Sequence, residues 1–372
     1  MASGEYGAVF VGGGLAATLL LHEMRAAFPK RVLVVDPEPP SESPPVHWSY
    51  WSRDPTPYDR LSIGAWRRAR VMGFPPEPIS PFTLRLVRST DVLASLEEAL
   101  EGLHIERRRA AARSVRLLPG GIYEVATAEG AVRARWVFDS AHGVAPGFPS
   151  QGHPRAVLSG TGLRVGADGP VFDDGVATLF DPLDERSFAY LLPLSATEAL
   201  LESASFGPKA MGEDEERLLG YLRSRHPGVG FSVGHVEYGT IPLGFAPART
   251  SGPRHVLLGA KRGLVKPSAG YGVVRIAEDC QRLARLWERG LPLPPSRRAP
   301  QPWRALDAGF LRLAAEDPRL PMALLGRVMG AIPLAQSLGF ISEELGVRRL
   351  GPLLRSAAPV VLGKQRGHTL ES

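Results

Sequence analysis

Three features of the sequence predict an α/β fold with a Rossmann-type domain, an interleaved and mostly antiparallel β domain, and C-terminal helices. The N-terminus has the pattern of a strand, a glycine turn, a helix and a second strand. The stretch from about Gly160 to Gly239 is mostly β in pattern, and the chain from Trp303 onward has the pattern of helices with short breaks. With 372 residues, the chain is long enough for two domains with substantial cores.

The N-terminal unit is the first element. Tyr6 to Val11 is a short apolar strand, Gly12-Gly13-Gly14 is a turn, and an apolar helix follows from Leu15 to about Phe28. A second strand, Arg31 to Val35, ends in Asp36. This compact strand–turn–helix–strand order predicts the start of a Rossmann-type domain.

The later elements are predicted from caps, turns and alternation. Ser89-Thr90-Asp91 can cap a helix that runs to about Leu100. The other predicted elements are a β-meander (Ser114–Leu118, Ile122–Thr127 and Ala131–Phe138), a helix (Asp214–Ser224), a buried strand (His255–Gly259) and an amphipathic helix (Val273–Arg289). Their order predicts a Rossmann-type domain that is assembled from non-contiguous segments.

The glycine turn has the spacing of a dinucleotide-binding motif. It reads Gly12-x-Gly14-x-x-Ala17, and Asp36 stands 24 residues after Gly12. The first glycine permits the tight turn, the second lets a pyrophosphate approach the backbone, and Ala17 keeps helix and strand close. The helix N-terminus offers free N–H groups to phosphate, and Asp36 can accept hydrogen bonds from a ribose. All three glycines, Ala17 and Asp36 are therefore predicted cofactor contacts.

The motif does not separate FAD from NAD, but two further features favour FAD. The β-meander ends in an acid, Asp139, and a second glycine-rich loop between Gly259 and Gly272 opens a helix late in the chain. A second helix N-terminus can receive the pyrophosphate or the flavin ring from the other side, although a plain strand–helix connection is the alternative. The additional predicted FAD contacts are Asp139, Gly263, Pro267, Gly270 and Tyr271.

Composition excludes several classes of protein and site. The net charge of +6 is carried by scattered arginines, and the absence of a basic helix interleaved with aromatics argues against nucleic acid as a partner. The single cysteine, Cys280, excludes an intrachain disulfide and favours the reducing cytoplasm. No two histidines have helical spacing, so no metal site is predicted. No signal peptide is expected, because no basic segment precedes the first strand.

The domain boundaries are predicted from the proline clusters that separate the units of the chain. The predicted FAD-binding domain comprises residues 1–45, 86–150 and 240–290, the substrate domain 46–85 and 151–239, and the C-terminal helical segment 300–357. The stretch Leu320 to Ile341 is nearly long enough to span a bilayer, but Arg327, two prolines and three glycines favour two short apolar helices. These helices either close a core or make a peripheral contact with the inner face of the cell membrane, from which a lipid substrate enters.

Several motifs resemble one family, in order and with plausible spacing between about residues 6 and 345. They are Val11–Ala16, Trp48-Ser49, Val137-Phe138-Asp139, Phe188–Ser195, Leu201-Glu202, Gly239–Pro242, Gly263–Tyr271 and Phe310–Glu343. Together they resemble the bacterial and plant lycopene cyclase family of flavoproteins. The Leu-Pro-Leu-Ser strand within Phe188–Ser195 and the Pro-x-x-Gly-Tyr loop are the most specific of them.

The chain departs from the family pattern at four places. The His-Thr-Trp-Ser element reads Val46-His47-Trp48-Ser49 and lacks its first histidine, and Asp-Gly is replaced by Asp139-Ser140. Lys266 stands where a histidine usually precedes the loop proline. The acidic motif keeps Glu202 but continues as Ser203-Ala204 instead of a second acid and a threonine. These differences indicate a divergent member.

The resemblance implies an isomerase that cyclises linear carotenoid ends, of the lycopene to β-carotene type, without net oxidation. It places Glu202 where the family has its essential acid, and a carboxyl among apolar neighbours is expected to have a raised pKa. Asp181 is a second catalytic candidate. Reduced FAD would stabilise the cation, NADPH would reduce the flavin, and the partner would be a hydrophobic polyene. Lys266 would favour the anionic flavin if it lies beside the ring, and is otherwise a solvated loop lysine.

Two alternatives remain open on the sequence alone. One is a flavin-dependent monooxygenase or halogenase on the same scaffold, or a cyclase of another terpenoid or polyene, although Trp48 and Trp51 lack the surroundings of a halogenase motif. The other is a flavin-binding carrier that holds a lipid without turnover. Oxygen consumption distinguishes the first from a cyclase. Replacement of Glu202 distinguishes the second, because a carrier would keep its biological effect.

Overall fold

A computed structural model of the chain describes residues 5–28, 30–38, 44–141, 154–209, 212–245, 250–295 and 301–344, with the single positions 351 and 355. The strands are β1 (Glu5–Val11), β2 (Val32–Asp36), β3 (His47–Ser52), β4 (Ser62–Trp66), β5 (Arg68–Val71), β6 (Glu77–Pro78), β7 (Thr83–Arg88), β8 (Ile105–Arg109), β9 (Ala112–Leu117), β10 (Tyr123–Thr127), β11 (Gly130–Asp139), β12 (Pro154–Ala167), β13 (Val176–Pro182), β14 (Ser187–Pro193), β15 (Glu198–Phe206), β16 (Phe231–Phe245) and β17 (His255–Leu257). The helices are α1 (Leu15–Glu23), α2 (Ser89–Glu98), α3 (Glu215–Arg225), α4 (Val273–Glu288), α5 (Gln301–Glu316), α6 (Leu320–Met329) and α7 (Leu334–Ile341).

The first sheet is of the Rossmann type and confirms the predicted fold class. Its strand order is β8-β2-β1-β11-β10-β9, and β17 pairs with the end of β11. Strands β8, β2, β1, β11 and β17 pair in parallel, whereas β9, β10 and β11 form the predicted antiparallel meander. The carboxyl ends of the parallel strands therefore meet at one edge of the sheet, where ligands bind in open α/β sheets.

The central parallel strands β1 and β2 are mainly apolar because both faces of the sheet are covered there. Ala8 and Phe10 pack with α1 and α4, while Val9 and Val11 pack with the meander on the other face. Helix α1 buries the continuous run from Ala16 to Leu21 between the sheet and its neighbours. This packing fixes the N-terminus of α1 at the carboxyl edge of β1.

The second sheet is mostly antiparallel and follows the order β16-β12-β15-β14-β13-β5-β6. One face packs with the small sheet β3-β7-β4 and with helices α5 to α7 in a single apolar cluster. The other face packs with α3. The long strand β12 lies between β15 and β16, so residues from distant parts of the chain share one register across three strands.

Some local details differ from the predictions. Helix α1 ends at Glu23 instead of near Phe28, and a 3-10 turn, Arg25–Ala27, follows it. Ser89 does not cap α2, because its hydroxyl accepts a hydrogen bond from the N–H of Val46 (3.0 Å). Strand β16 continues to Phe245, past the predicted boundary at residue 240, because its last residues extend the ladder with β12. The boundaries as a whole stay a prediction.

The apolar stretch from Leu320 to Ile341 forms two short helices, α6 and α7, as predicted. Both contribute side chains to the cluster beneath the second sheet, among them Leu325, Leu334 and Leu338. In the described part of the chain, no helix has the length and apolar character needed to cross a bilayer. The two helices thus close a core, and contact with a membrane surface stays a prediction.

Candidate active site

A cavity of about 310 Å³ lies where the second sheet meets β3 and the loop before α4. Its walls come from β12, β14, β15 and β16 on one side, and from residues 46–49 and 269–273 on the other. Most of the lining surface is apolar. Among the predicted site residues, Glu202, Gly270 and Tyr271 line this cavity.

Four residues form a row across the sheet at the floor of the cavity. Tyr190 pairs with Glu202, Glu202 pairs with Gly162, and Gly162 pairs with Glu237. Residues that are directly opposite in antiparallel strands point to the same face of the sheet. A Cβ on Gly162 would lie only 2.6 Å from Cγ of Glu237. Any larger residue at position 162 would therefore displace the Glu237 side chain from its place over β12, beside Glu202.

The Glu202 carboxyl is held in its neutral form at ordinary pH. The side chain keeps some surface toward the cavity, but its neighbours Leu200 and Leu201 are buried and few polar groups replace its hydration. Loss of hydration, with a smaller contribution from the negative charge of Glu237, raises the pKa of Glu202 to about 8. A carboxyl of this kind can deliver a proton to a bound molecule near neutral pH.

Glu237 and His47 are functional candidates that the sequence analysis missed. The Glu237 carboxylate accepts hydrogen bonds from the backbone N–H of His47 (3.1 Å) and from its Nδ1 (2.8 Å). Both side chains are buried. Glu237 stands two residues before the recognised Gly239–Pro242 motif, and His47 lies within the altered tryptophan motif. Their closeness to these two motifs was the only sequence feature that pointed to them. The contact itself joins residues that are 190 positions apart.

Tyr190 and Tyr271 give part of the cavity wall an aromatic surface. Outside the lining, the Trp51 ring packs against Tyr271, with 3.8 Å between the ring centroids. Burial raises the pKa of Tyr190 and of Tyr271 well above its ordinary range. Neither hydroxyl has a hydrogen-bond partner among the described residues. The two phenols are nevertheless close enough to affect each other's pKa. The cavity therefore offers flat aromatic surface and neutral hydroxyls around the two carboxyls.

The predicted nucleotide contacts lie together at the carboxyl edge of the first sheet. Gly12 has φ +89°, and a Cβ there would lie 2.6 Å from Oγ of Ser140. A Cβ on Gly14 would meet no atom within 4 Å, so space is open above the N-terminus of α1. No side chain caps that helix end, and Ala17 is fully buried. Asp36 accepts hydrogen bonds from the N–H groups of Gly13 and Glu38.

This edge fits an anionic dinucleotide. An uncapped helix N-terminus that faces open space provides N–H donors and a positive dipole end for a pyrophosphate. A carboxylate has about four lone-pair positions, so Asp36 can accept ribose hydroxyls besides its two backbone donors. Gly12 to Gly14, Ala17 and Asp36 are thus brought together in the arrangement that the sequence motif predicts, and their assignment to FAD stays a prediction.

Asp139 lies at the same edge, opposite Val11 in the register of β1 and β11. Its carboxylate contacts His255 (3.2 Å) and the ammonium of Lys261 (2.5 Å). Burial alone would raise the pKa of Asp139, but the hydrogen bond with His255 and the positive charge of Lys261 outweigh it and lower the pKa. Asp139 is therefore an ionised residue that orients Lys261, a cation the sequence analysis did not single out.

The late glycine loop connects the two regions. A Cβ on Gly259 would lie 2.9 Å from Cβ of Ala16, so the 3-10 turn Gly259–Arg262 packs directly on α1. Gly263 ends this turn, Pro267 is buried, and Gly270 and Tyr271 reach the cavity. The loop thus runs from the nucleotide edge to the cavity, and α4 begins beside it.

Lys266 is not exposed to solvent, and its positive charge is paired with carboxylates. Its side chain is buried, and its ammonium contacts Asp307 (2.6 Å) and Glu343 (3.2 Å) and lies 5.2 Å from the Trp303 ring centre. The expectation of a solvated loop lysine is therefore wrong. The two carboxylates neutralise the charge with which Lys266 was expected to act on a flavin, and the contacts attach the loop to α5 and to the end of α7.

We expect Lys266→Met to lower the free energy of unfolding by about 3 kcal/mol, because it leaves buried carboxylates with less compensating charge. Urea unfolding at neutral pH measures the change. The matched control is Arg312→Met on the exposed side of α5, which we expect to change stability by less than about 0.5 kcal/mol. Equal stability of the two variants would show that the ion cluster does not hold the C-terminal helices.

Asp181 lies outside the cavity. Its carboxylate accepts hydrogen bonds from the hydroxyl of Tyr221 (2.7 Å) and from Arg225 (2.6 Å), both on α3. These contacts attach α3 to β13 on the opposite face of the second sheet from the cluster that contains the C-terminal helices. The structure thus does not bring Asp181 together with Glu202.

The fold and these two regions define a class of protein: an α/β protein with a Rossmann-type nucleotide edge and an acid-bearing cavity in an adjoining antiparallel domain. The family model described as lycopene cyclase protein matches residues 8–316. The chain therefore belongs to the lycopene cyclase family. Comparison with curated protein sequences finds no significant match.

Solved structures with a similar fold cover nearly the whole chain. A geranylgeranyl bacteriochlorophyll reductase-like protein from Thermoplasma acidophilum is 15% identical, with 98% of this chain and 99% of that chain covered and a TM-score of 0.58. The flavin-dependent brominase Bmp2 is 13% identical, with 97% and 100% covered and a TM-score of 0.60. The p-nitrophenol 4-monooxygenase PnpA from Pseudomonas putida DLL-E4 is 16% identical, with 96% and 97% covered and a TM-score of 0.57. At such identities the likeness concerns the fold alone.

Proposed function

We propose that this protein is an FAD-dependent enzyme that closes rings at the ends of a linear carotenoid, of the lycopene to β-carotene type, without net oxidation or reduction. The observation that carries the proposal is Glu202, a carboxyl with a pKa raised to about 8 in a mainly apolar cavity. Family membership supports the substrate class. The proposed product has the same molecular formula as the substrate, so the enzyme is an isomerase.

Glu202 is the acid in this proposal. Its carboxyl adds a proton to a terminal double bond, and the resulting cation is attacked by a second double bond, which closes a six-membered ring. Loss of a proton from a ring carbon restores one double bond. The apolar walls exclude water that would otherwise trap the cation. The negative carboxylate of Glu202 after proton transfer, and the rings of Tyr190 and Tyr271, stabilise the cation electrostatically.

The chain's own residues fit the cofactor. Gly12 to Gly14 and the start of α1 would hold the FAD pyrophosphate, Asp36 the adenosine ribose, and the loop with Gly270 and Tyr271 would bring the bound flavin near the cavity. Asp139 is the remaining contact at this edge, where it orients Lys261. Reduced FAD, with NADPH as the proposed reductant, supplies negative charge beside the cavity when it is bound.

A flavin-dependent monooxygenase is the second candidate function. The fold is shared with a flavin-dependent brominase and with a p-nitrophenol 4-monooxygenase. Ring closure needs no oxygen, whereas a monooxygenase consumes oxygen and NADPH in step with product. The raised pKa of Glu202 favours the cyclase, because an oxygenation site has no need of a carboxyl that stays protonated near neutral pH.

The experiment is anaerobic incubation of the purified protein with FAD, NADPH and lycopene in lipid vesicles, followed by chromatography and mass spectrometry. We expect a monocyclic or dicyclic product of unchanged mass, and protein that sediments with the vesicles because the polyene enters from a membrane surface. The absence of any cyclic product from protein that binds FAD would contradict the cyclase. A product that appears only with oxygen and has a higher mass would support the monooxygenase.

A further inference from the structure

His47 is a buried histidine with one ring nitrogen engaged and the other free. Its Nδ1 lies 2.8 Å from Oε2 of Glu237, and its backbone N–H donates to the same carboxylate. Nε2 is buried and has no hydrogen-bond partner among the described residues. The side chain is 7% exposed and lines the cavity. Because Nδ1–H donates to a carboxylate, Nε2 carries the lone pair that can accept a proton.

Glu237 and Glu202 differ in their surroundings although both line the cavity. Glu237 accepts hydrogen bonds from the backbone N–H and from Nδ1 of His47, whereas Glu202 has no such donors among the hydrogen bonds of the described residues. Gly162 between them leaves room for the Glu237 carboxyl. The floor of the cavity therefore holds a protonated acid next to a carboxylate–imidazole pair, which is the division into acid and base that one site needs for both proton transfers.

The other titratable and charged groups around His47 do not compete for Nε2. Arg88, opposite His47 on β7, is turned toward Asp91. The hydroxyl of Tyr238 on β16 donates to Glu215. Tyr190 on β14 and Tyr271 in the loop remain neutral because burial raises the pKa of each. These four groups thus leave Nε2 of His47 available to accept a proton.

We propose that His47, oriented by Glu237, is the base that removes the proton at the end of ring closure. The inference rests on the proposed function. Glu202 gives its proton to the terminal double bond, a C–C bond closes the ring, and a C–H bond on a ring carbon breaks as its electron pair forms the new double bond. That proton goes to Nε2 of His47 and then returns to Glu202, so atoms and electrons balance without any further reactant.

The first test is His47→Gln, assayed with lycopene in D₂O under anaerobic conditions. We expect kcat to fall on the order of 10²- to 10³-fold with little change in KM. Because Glu202 still protonates the substrate, recovered lycopene should acquire deuterium when the cation reverts. The matched control is His235→Gln on β16, whose Nε2 is also buried without a partner but which does not line the cavity.

Several outcomes overturn the proposal. One is product formation by His47→Gln at the rate of the control. Another is that His47→Gln forms no product and the recovered lycopene contains no deuterium. A wild-type protein that makes no cyclic product removes the proposed function and this inference with it. A second measurement needs no substrate: ¹⁵N NMR of the uncharged His47 ring should show the proton on Nδ1 and none on Nε2, and Glu237→Gln should abolish that preference. Protonation at Nε2 in the wild type would exclude His47 as the base.

Discussion

Glu202→Gln is expected to reduce ring closure at least about 10³-fold while FAD binding stays unchanged, because glutamine fills the same space but has no acidic proton. The assay is chromatography of the products of lycopene under anaerobic conditions. The wild-type rate should fall above about pH 8, as Glu202 loses its proton at the pKa of about 8. The loss of activity on the alkaline side is the kinetic signature of this acid.

The same substitution should stabilise the folded protein at alkaline pH. The pKa of Glu202 is about 8 in the folded chain, against an ordinary value of 4.5. Below pH 4.5 the carboxyl is protonated in both states, and its favourable contribution is complete. As the pH rises toward 8, the unfolded chain releases the proton and the folded chain retains it, so wild-type stability falls by on the order of 4 kcal/mol. Glutamine does not ionise, and the variant should lack this loss.

The matched control is Glu198→Gln, on the same strand but exposed and outside the cavity. Denaturant unfolding at pH 4.5 and pH 8 measures both variants. We expect Glu198→Gln to follow the wild type in activity and in pH dependence. If Glu202→Gln retained wild-type turnover, Glu202 would not be the acid, and if its stability advantage did not grow with pH, the carboxyl would not be buried as described.

Gly14→Val is expected to weaken FAD binding by at least about 100-fold, since its side chain would occupy the open space above the N-terminus of α1 and deny the pyrophosphate its backbone donors. The free energy lost corresponds to about 3 kcal/mol at that factor. Titration of the apoprotein with FAD, followed by quenching of flavin fluorescence, measures the affinity. Folding should be retained, because no atom lies within 4 Å of the added Cβ.

The control for this variant is Gly220→Val, within helix α3 and also without a neighbour within 4 Å of an added Cβ. Both variants carry the same added side chain, so any general cost of valine is shared. Equal FAD affinity in the two variants would place the cofactor elsewhere. Loss of FAD from Gly220→Val as well would indicate a fold defect instead of an effect on the nucleotide edge.

Sequence reasoning predicted well those features that depend on short segments of chain. The strand–glycine turn–helix unit from β1 to β2, the meander and the two short helices α6 and α7 all appear, because each follows from local hydrophobic period and from glycine or proline punctuation. Family motifs then placed Glu202 on a buried strand. The cap at Ser89 failed, because a distant backbone N–H, that of Val46, takes its hydroxyl.

The contacts of charged side chains could not be predicted in the same way. Lys266 was expected beside a flavin or in solvent, and it lies instead between Asp307 on α5 and Glu343 just after α7, both much later in the chain. Asp181 was grouped with Glu202, and it is held by α3 instead. In each case the partner is chosen by the packing of separate elements, which leaves no periodic signal in either segment.

The sequence by itself determined the α/β class, the nucleotide motif and the family, because these depend on residue type and spacing along the chain. Only the tertiary structure decided which groups form the cavity. Glu202, Gly162 and Glu237 meet because β15, β12 and β16 share one register, and His47 joins them from another sheet. Register and sheet packing are set by side-chain burial summed over whole elements, so no single residue or local pattern encodes them.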